Sequence, residues 1–147
     1  MKKSPILLVE DNPDDEELTL RALRKNNFQH EVVVARDGAE ALDYIFGKGK
    51  YAGRNMEIMP QLILLDLKLP KIDGLEVLRR IRLDERLHFL PVVILTSSRE
   101  DQDLYDGYSI GCNSYIRKPV DFNEFVEAVR ILGIYWTLHN ELPPVSA

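Results

Sequence analysis

The sequence has one cysteine and no long apolar run, and each scarcity excludes a class of protein. With Cys112 alone, the chain cannot form an intrachain disulfide or a cysteine metal cluster. No apolar run approaches the roughly 20 residues of a membrane-spanning helix, and the short N-terminal run lacks the features of a signal peptide. The net charge of -5 argues against nonspecific binding to nucleic acid or anionic membranes. We therefore expect a cytoplasmic protein that binds neither.

Short apolar runs alternate with helical patterns along the chain. The expected strands are Ile6 to Val9, Glu31 to Ala35, Leu62 to Asp66, Pro91 to Thr96 and Ser114 to Arg117. The expected helices open at Asn12-Pro13, Asp37-Gly38, Asp73-Gly74, Asp101 and Asp121, and they end near Asn26, Phe46, Asp84, Tyr108 and Asn140. This alternation predicts a parallel sheet with helices on both faces. The length suits one domain over 1–147, with a core over about 5–140 and a short tail over 141–147.

The segment GKGKYAGRNMEIMP, residues 47–60, is polar, contains glycines and is long for a connection. Its glycines follow an expected helix and have the spacing G-x-G-x-x-x-G. A dinucleotide-binding loop instead places its glycines after a strand and before a helix. We therefore interpret residues 47–60 as a surface loop.

Polar residues stand at the ends of most of the expected strands. Because parallel strands joined by right-handed crossovers end at one edge of the sheet, these side chains should lie together at the edge where such folds bind ligands. One polar strand end would mean little, since turns are commonly polar, but several together indicate a site. They are Glu10 and Asp11 after the first strand, Asp66 on the third, Thr96, Ser97 and Ser98 on the fourth, and Lys118 after the fifth.

The residue types at this edge point to phosphoryl transfer. If the strand order is 2-1-3-4-5, Glu10, Asp11 and Asp66 converge. Carboxylates so placed repel one another, and a hard cation such as Mg2+ relieves the repulsion by taking oxygen ligands. Lys118 supplies a positive charge suited to a phosphate oxygen, and Thr96 supplies a hydroxyl donor. A carboxylate can serve as the nucleophile, and catalysis then rests on positioning and charge neutralisation.

Asp14 and Asp15 are two further acids, and they follow the helix start at Asn12-Pro13. Acidic side chains in the first turn of a helix interact favourably with the helix dipole. We therefore interpret both as helix-stabilising residues rather than as metal ligands.

Four motifs coincide with these strand ends: VED (Val9 to Asp11), LLDLKLPKIDG (Leu64 to Gly74), ILTSS (Ile94 to Ser98) and YIRKP (Tyr115 to Pro119). Together they resemble the receiver domain of two-component response regulators, over Ile6 to about Leu138. The resemblance implies a flavodoxin-like, doubly wound five-stranded parallel sheet of order 2-1-3-4-5, a (βα)5 α/β fold. It also implies a phosphoacceptor signalling protein of a phosphorelay, not an enzyme, with a histidine kinase as its partner.

The resemblance assigns a role to each matching residue of the site. Asp66 would be the phosphoacceptor, and Lys118 would bind the phosphoryl group. Mg2+ would be held by Asp11, Asp66 and the backbone carbonyl of Lys68, and Glu10 would act through water.

A switch is also implied by the resemblance. Thr96 would move towards the phosphoryl group, and Tyr115 would turn inward with it. The phosphoryl dianion offers Thr96 a partner that the bare carboxylate lacks, so phosphorylation biases a two-state equilibrium. A cis peptide bond before Pro119 would aim Lys118, and Lys68 and Ser98 stand where the family tunes the phosphoryl lifetime.

The EDNPDD run and the insertion before the third strand resemble single-domain regulators that partner bacterial phytochromes and related histidine kinases. For such a stand-alone regulator, the output is contact with another protein or a change in self-association. In the last helix, Ile131, Tyr135 and Leu138 widen the apolar arc beyond one face. A broad buried face and a homodimer interface through this helix and strand five both explain that arc. The stripe expected to face the core is Phe122, Phe125, Val129, Leu132 and Trp136.

Three other classes of protein share parts of this pattern. A hydrolase of the haloacid-dehalogenase kind would need an aspartate two residues after its nucleophile, where Lys68 stands. A flavodoxin-like cofactor binder would need a Ser/Thr/Gly-rich loop after the first strand, where the acidic EDNPDD run would repel a phosphate. A phosphorylation-independent adaptor of receiver fold would have no need of the complete acidic pocket.

Overall fold

The structure, a computed structural model, describes residues 4–25 and 30–144 and shows strands alternating with helices. The strands are β1 (Ile6–Val9), β2 (Val32–Ala35), β3 (Leu62–Leu65), β4 (Val92–Thr96) and β5 (Ser114–Arg117). The helices are α1 (Pro13–Arg24), α2 (Gly38–Phe46), α3 (Gly74–Leu83), α4 (Asp101–Ile110) and α5 (Phe122–Ile134), with a 3-10 helix (Gly49–Tyr51) and a π-helical segment (Tyr135–His139). Within these ranges, no helix combines the length and the apolar character needed to cross a membrane.

The strands of the described residues form a parallel sheet in the order β2-β1-β3-β4-β5. The central strands β1, β3 and β4 are buried along their whole length because helices cover both of their faces. The edge strands β2 and β5 are mostly half-buried. The predicted doubly wound fold and its strand order are therefore confirmed.

Two apolar cores lie on the two faces of the sheet. Along β1, Leu7 and Val9 belong to one core and Ile6 and Leu8 to the other, because successive side chains of a strand point to opposite faces. The first core is completed mainly by α2 and α3, and the second by α1 and α5. Both layers hold the central strands in place, so the residues that follow the strands emerge at a rigid edge.

Aspartate and asparagine side chains cap most of the helices, as the sequence predicts. Asn12, Asp37, Asp73 and Asp121 each accept a hydrogen bond from a backbone N–H two or three residues later. The predicted end of the first helix near Asn26 lies outside the described residues. The fourth helix runs past its predicted end at Tyr108 to Ile110, where Gly111 ends it with a φ of 123°.

The predicted core stripe of the last helix is correct except at its first residue. Phe125, Val129 and Leu132 are buried, and Trp136 packs against the same core. Phe122 is 52% exposed, so its predicted position in the core is wrong. Phe122 is the first residue of α5, and there it lines a surface groove beside the basic end of α1.

Residues 47–60 form the predicted surface loop, and Arg54 anchors it. The Arg54 guanidinium lies 4.3 Å from the centre of the Tyr44 ring, and its Nε donates to the Tyr44 carbonyl at 2.9 Å. Its Nη1 donates to the Ile58 carbonyl at 2.7 Å. These contacts satisfy carbonyls at the end of α2 and inside the loop, so the insertion is a built part of the fold.

Candidate functional site

The side chains of the site lie at the carboxyl edge of the sheet because the strand register brings the strand ends level. The last residues of β1 and β3 pair with each other, so Glu10 and Asp66 emerge side by side. The last residues of β4 and β5 also pair, and the N–H of Lys118 donates to the Thr96 carbonyl at 2.7 Å. The predicted convergence of polar strand ends is therefore observed.

Glu10, Asp11 and Asp66 form an acidic cluster, in which one carboxylate oxygen of each lies within 4.8 Å of the others. Glu10 and Asp66 are buried, whereas Asp11 is exposed. Burial raises the pKa of the Glu10 carboxyl to about 7, against the hydrogen bond from Lys118, which lowers it, and with the charge of Asp66, which raises it. Crowded carboxylate oxygens are the donor set that Mg2+ or Mn2+ prefers, so the residues present fit such a cation.

Lys118 reaches from the end of β5 into this cluster. Its Nζ lies 2.7 Å from Glu10 Oε1, 2.8 Å from Asp15 Oδ2 and 3.3 Å from Asp66 Oδ2. Burial alone would lower the pKa of Lys118, but the hydrogen bonds to Asp15 and Glu10 and the charge of Asp66 raise it. The ammonium therefore stays charged and neutralises part of the acidic charge around it.

Asp15 is the residue of the site that sequence reasoning missed, because it was interpreted as a helix-dipole acid. The Asn12 side chain caps α1 by accepting the N–H groups of Asp14 and Asp15 at 2.9 and 3.1 Å. The cap leaves Asp14 exposed and places the Asp15 carboxylate against Lys118, 103 residues away in sequence. Helical periodicity does not predict such a contact. It can be predicted only when the position of β5 in the sheet, and so of Lys118, is known.

Asp66 is held rigidly by the backbone around it. Its Oδ1 accepts the N–H of Leu67 at 2.7 Å and that of Lys68 at 3.3 Å, while its Oδ2 faces Lys118. A Cβ atom at Gly74 would lie 2.2 Å from the carbonyl oxygen of Asp66, so only glycine lets α3 begin so close to the end of β3. The geometry leaves one carboxylate oxygen of Asp66 committed to the backbone and the other turned towards the ammonium.

Thr96 and Ser98 connect the end of β4 to α4. Thr96 is fully buried, and its Oγ1 accepts the N–H of Ser98 at 3.2 Å. The Ser98 hydroxyl donates to Asp103 Oδ2 at 2.6 Å, and the Lys68 ammonium lies 4.0 Å from the same oxygen. Thr96 therefore lies at the predicted edge, and its movement on phosphorylation stays a prediction.

Tyr115 lies half-buried on β5 between the sheet and α4. A Cβ atom at Gly107 would lie 3.2 Å from its ring, and the ring centre lies 6.4 Å from that of Tyr108. The Tyr115 hydroxyl oxygen is buried, and no group of the described residues meets hydrogen-bond geometry with it, although Ser98 lies nearby. Burial raises the pKa of this hydroxyl, and the charge of Asp103 raises it further.

The predicted cis peptide bond before Pro119 is wrong, since the described residues contain no cis peptide bond. The trans form is the lower-energy state of most X–Pro bonds. The carbonyl of Lys118 accepts a hydrogen bond from Arg99 Nη2 at 2.7 Å. Lys118 therefore reaches the acidic cluster from a trans backbone tied to the loop after β4.

Comparison with known proteins gives the family. The model of the response regulator receiver domain matches residues 6–130. FilR2 of Methanothrix harundinacea, named a probable methanogenesis regulatory protein, is 43% identical over 94% of this chain and 86% of its own length. The response regulator Rcp1 of Synechocystis is 36% identical over 94% of this chain and 92% of its own length.

Solved structures of similar proteins superpose over nearly the whole chain. The phosphorylated cyanobacterial phytochrome response regulator RcpA has 39% identity and a TM-score of 0.89, covering 97% of this chain and 99% of its own. The bacteriophytochrome response regulator AtBRR has 55% identity and a TM-score of 0.76, covering 96% and 100%. The Mn2+-bound form of Rcp1 has 35% identity and a TM-score of 0.88, covering 96% and 99%.

Receiver domains are signalling proteins that histidine kinases phosphorylate and that bind Mg2+ or Mn2+ at an acidic pocket. The acidic cluster beside Asp66 and Lys118 is such a pocket in its residue types and position. This chain belongs to the response regulator receiver domain family, and its close relatives include phytochrome-associated response regulators.

Proposed function

We propose that this chain accepts a phosphoryl group from a histidine kinase onto Asp66 in a reaction that requires a divalent cation. The environment of Asp66 is the observation that carries the proposal. Asp66 is 6% exposed at the end of a buried strand, and the backbone holds one of its carboxylate oxygens. The other oxygen faces the Lys118 ammonium at 3.3 Å. A carboxylate so fixed is a positioned nucleophile rather than a mobile surface acid.

In the proposed step, a lone pair of Asp66 Oδ2 forms a bond to phosphorus. The bond from phosphorus to the donor breaks, and its electron pair leaves with the donor. With a phosphohistidine donor, the histidine leaves as an imidazolate, which takes a proton from water to become neutral imidazole. With acetyl phosphate, the leaving group is acetate. Lys118 is positioned to bind the phosphoryl oxygens, on which the negative charge of the transition state is spread.

The divalent cation would be held by Asp11, Asp66 and the backbone carbonyl of Lys68, with Glu10 acting through water. The acidic cluster supports this assignment, as does the Mn2+-bound structure of the relative Rcp1. When bound, Mg2+ neutralises negative charge on the transferred group and on the surrounding carboxylates. Without it, the Lys118 ammonium offsets only part of the acidic charge.

Phosphorylation would change the environment of Thr96 and Tyr115 and so act as the switch. The Tyr115 hydroxyl supports this, because it has no hydrogen-bond partner within the described residues and a buried polar group gains by moving to one. The output would be protein contact by a stand-alone cytoplasmic regulator. Ile131, Tyr135 and Leu138, each at least half exposed, support a homodimer through α5 and β5.

The proposed kinase partner is of the phytochrome type. The names of RcpA and AtBRR support this choice, since RcpA is called a phytochrome response regulator and AtBRR a bacteriophytochrome response regulator. FilR2, in contrast, is named a probable methanogenesis regulatory protein, and its name does not mention a phytochrome. Phosphorylation by a purified phytochrome kinase in red and far-red light would test this part of the proposal separately.

Intact mass after incubation with acetyl phosphate tests the central proposal. We expect one phosphoryl adduct on the wild-type chain with Mg2+ and none with EDTA. Asp66→Asn should abolish the adduct, and Asp101→Asn should keep it, because the Asp101 side chain is 95% exposed. An adduct that survives in Asp66→Asn would contradict the assignment. A wild-type chain that accepts no phosphoryl group from acetyl phosphate or from a histidine kinase would instead be a phosphorylation-independent adaptor.

A further inference from the structure

Asp15 lies closer to the Lys118 ammonium than the proposed phosphoacceptor does. The two shorter contacts of Lys118 Nζ run to Glu10 and Asp15, at 2.7 and 2.8 Å, and the longest runs to Asp66, at 3.3 Å. An ammonium has three N–H donors. Among the described residues, two donors are therefore held by other carboxylates, and the third is turned towards Asp66.

The backbone that carries the Asp15 side chain is itself held by hydrogen bonds at the start of α1. Glu10 Oε2 accepts the N–H of Asn12 at 3.2 Å, and the Asn12 side chain accepts the N–H of Asp15 at 3.1 Å. The Thr19 hydroxyl donates to the Asp15 carbonyl at 2.8 Å. Glu10 and Asp15 are therefore linked through Asn12 by hydrogen bonds, and both contact the Lys118 ammonium from this connection between β1 and α1.

A lysine ammonium needs fixed acceptors to hold one position, because the long side chain has many rotamers. Fixing a lysine side chain in one conformation costs rotamer entropy. With Asp15 removed, Lys118 would lose a close acceptor, and the ammonium could shift towards Asp11, which completes the acidic cluster. That shift would move the positive charge away from Asp66 Oδ2, where the phosphoryl group arrives.

We infer that Asp15 is a positioning residue that holds the Lys118 ammonium against the phosphoryl-transfer site. The inference rests on the proposed function, since it names the residue that prepares Lys118 for that reaction. Asp15 acts through Lys118 and does not touch the phosphoryl group. Its side chain is 30% exposed, so it can be replaced without opening the core.

The test compares three variants by the rate of phosphoryl adduct formation at increasing acetyl phosphate and fixed Mg2+. Asp15→Asn keeps the shape and removes the charge, and Asp15→Glu restores the charge on a longer side chain. Asp14→Asn is the matched control, because Asp14 is the neighbouring exposed acid of the same turn. We expect Asp15→Asn to lower the saturating rate about tenfold and to change the half-saturating concentration less than about twofold. Asp15→Glu should recover most of the rate, and Asp14→Asn should match the wild type.

The Lys118 ammonium gives a second readout that needs no phosphoryl transfer. In nitrogen-15 NMR without added divalent cation, its signal should be protected from exchange in the wild type and in Asp14→Asn, and lost in Asp15→Asn. If Asp15 had a merely structural role, Asp15→Asn would lower the melting temperature, but the Lys118 signal would be the same in Asp15→Asn and Asp14→Asn. A wild type that takes no phosphoryl group but shows the protected ammonium would overturn the proposed function and leave the Asp15–Lys118 contact intact. An Asp15→Asn rate equal to or above that of Asp14→Asn would overturn the positioning role.

Discussion

Two cationic side chains lie at opposite edges of the sheet and contact different kinds of group. Lys118 is buried and Arg82 is half-buried. Lys118 meets the carboxylates of Glu10, Asp15 and Asp66 at the carboxyl edge. Arg82, near the end of α3, donates to neutral oxygens at the amino edge. These are the carbonyls of Gly111 (2.7 Å), His88 (2.9 Å) and Leu90 (2.8 Å) and the side-chain oxygen of Asn113 (2.9 Å).

The pKa shifts of the two cations have opposite directions. Burial lowers the pKa of Arg82, and a thiolate at Cys112 would raise it. Burial would also lower the pKa of Lys118, but its hydrogen bonds with carboxylates raise it. A cation that satisfies neutral carbonyls holds loops together, whereas a cation inside an excess of acid is available to bind an incoming anion.

Unsatisfied groups also separate the two edges. Within the described residues, the buried side-chain atoms without a hydrogen-bond partner are the Tyr115 hydroxyl and Arg117 Nε, both on β5, whose last residue at the carboxyl edge is Arg117. The Arg82 guanidinium, in contrast, donates from all three of its nitrogens. The amino edge is thus locally complete, and the carboxyl edge is left in a state that a ligand would complete.

Replacing Lys118 should have the largest effect and should fall on function. Lys118→Met removes the charge that we propose stabilises the phosphoryl oxygens, and we expect the rate of adduct formation to fall about 100- to 1,000-fold. Intact mass at saturating acetyl phosphate measures it. The control is Lys48→Met, since Lys48 is exposed on the surface loop. A rate within threefold of the control, which is only roughly 0.7 kcal/mol in the barrier, would show that both edges of the sheet are structural.

Replacing Arg82 should fall on stability instead. Arg82→Met leaves part-buried carbonyls of two loops without these donors, and we expect the free energy of unfolding to fall by about 3 kcal/mol. Urea unfolding measures this loss, and adduct formation should be unchanged at temperatures where the variant is folded. Arg86→Met serves as the control, because Arg86 is an exposed arginine of the same segment. A folded Arg82→Met chain that loses phosphoryl transfer would break the comparison.

Much of the carboxyl edge could be predicted from the sequence because strand ends obey a simple topology. Residues that follow parallel strands meet at one edge, so Glu10, Asp66 and Lys118 converge once the strands are recognised. The helix caps can also be predicted from the sequence, since Asn12 and Asp73 cap their helices through local hydrogen bonds. In both cases the pattern is short in sequence or fixed by the fold.

The remaining features depend on contacts that no local pattern encodes. Asp15 contacts Lys118, which is 103 residues away in sequence. Arg82 contacts Gly111 and Asn113 because the fold brings the end of α3 beside the segment before β5. Phe122 has helical spacing with the core residues, yet it stands at the exposed start of α5. Periodicity predicts the face of a helix on which a residue lies, but not whether a neighbour covers that end.

Adding Mg2+ should sharpen the comparison by stabilising one edge alone. A ligand that binds the folded state at tenfold its Kd raises the free energy of unfolding by about 1.4 kcal/mol. We expect this gain in the wild type and in Arg82→Met, and its loss in Asp11→Asn, because Asp11 belongs to the acidic cluster. Urea unfolding with Mg2+ and with EDTA measures it. A gain that persists in Asp11→Asn would place the cation elsewhere.

Removing the Tyr115 hydroxyl should have the smallest effect, and it should stabilise the protein, whereas most substitutions destabilise it. Because the buried oxygen lacks a partner within the described residues, Tyr115→Phe should raise the free energy of unfolding of the unphosphorylated chain by about 0.5 to 1 kcal/mol. Tyr105→Phe is the control, since Tyr105 is 69% exposed and its change should stay within about 0.5 kcal/mol. Urea unfolding compares both with the wild type. A clear loss of stability in Tyr115→Phe would mean that the hydroxyl is bonded, for instance to the nearby Ser98, and that the carboxyl edge is as complete as the edge around Arg82.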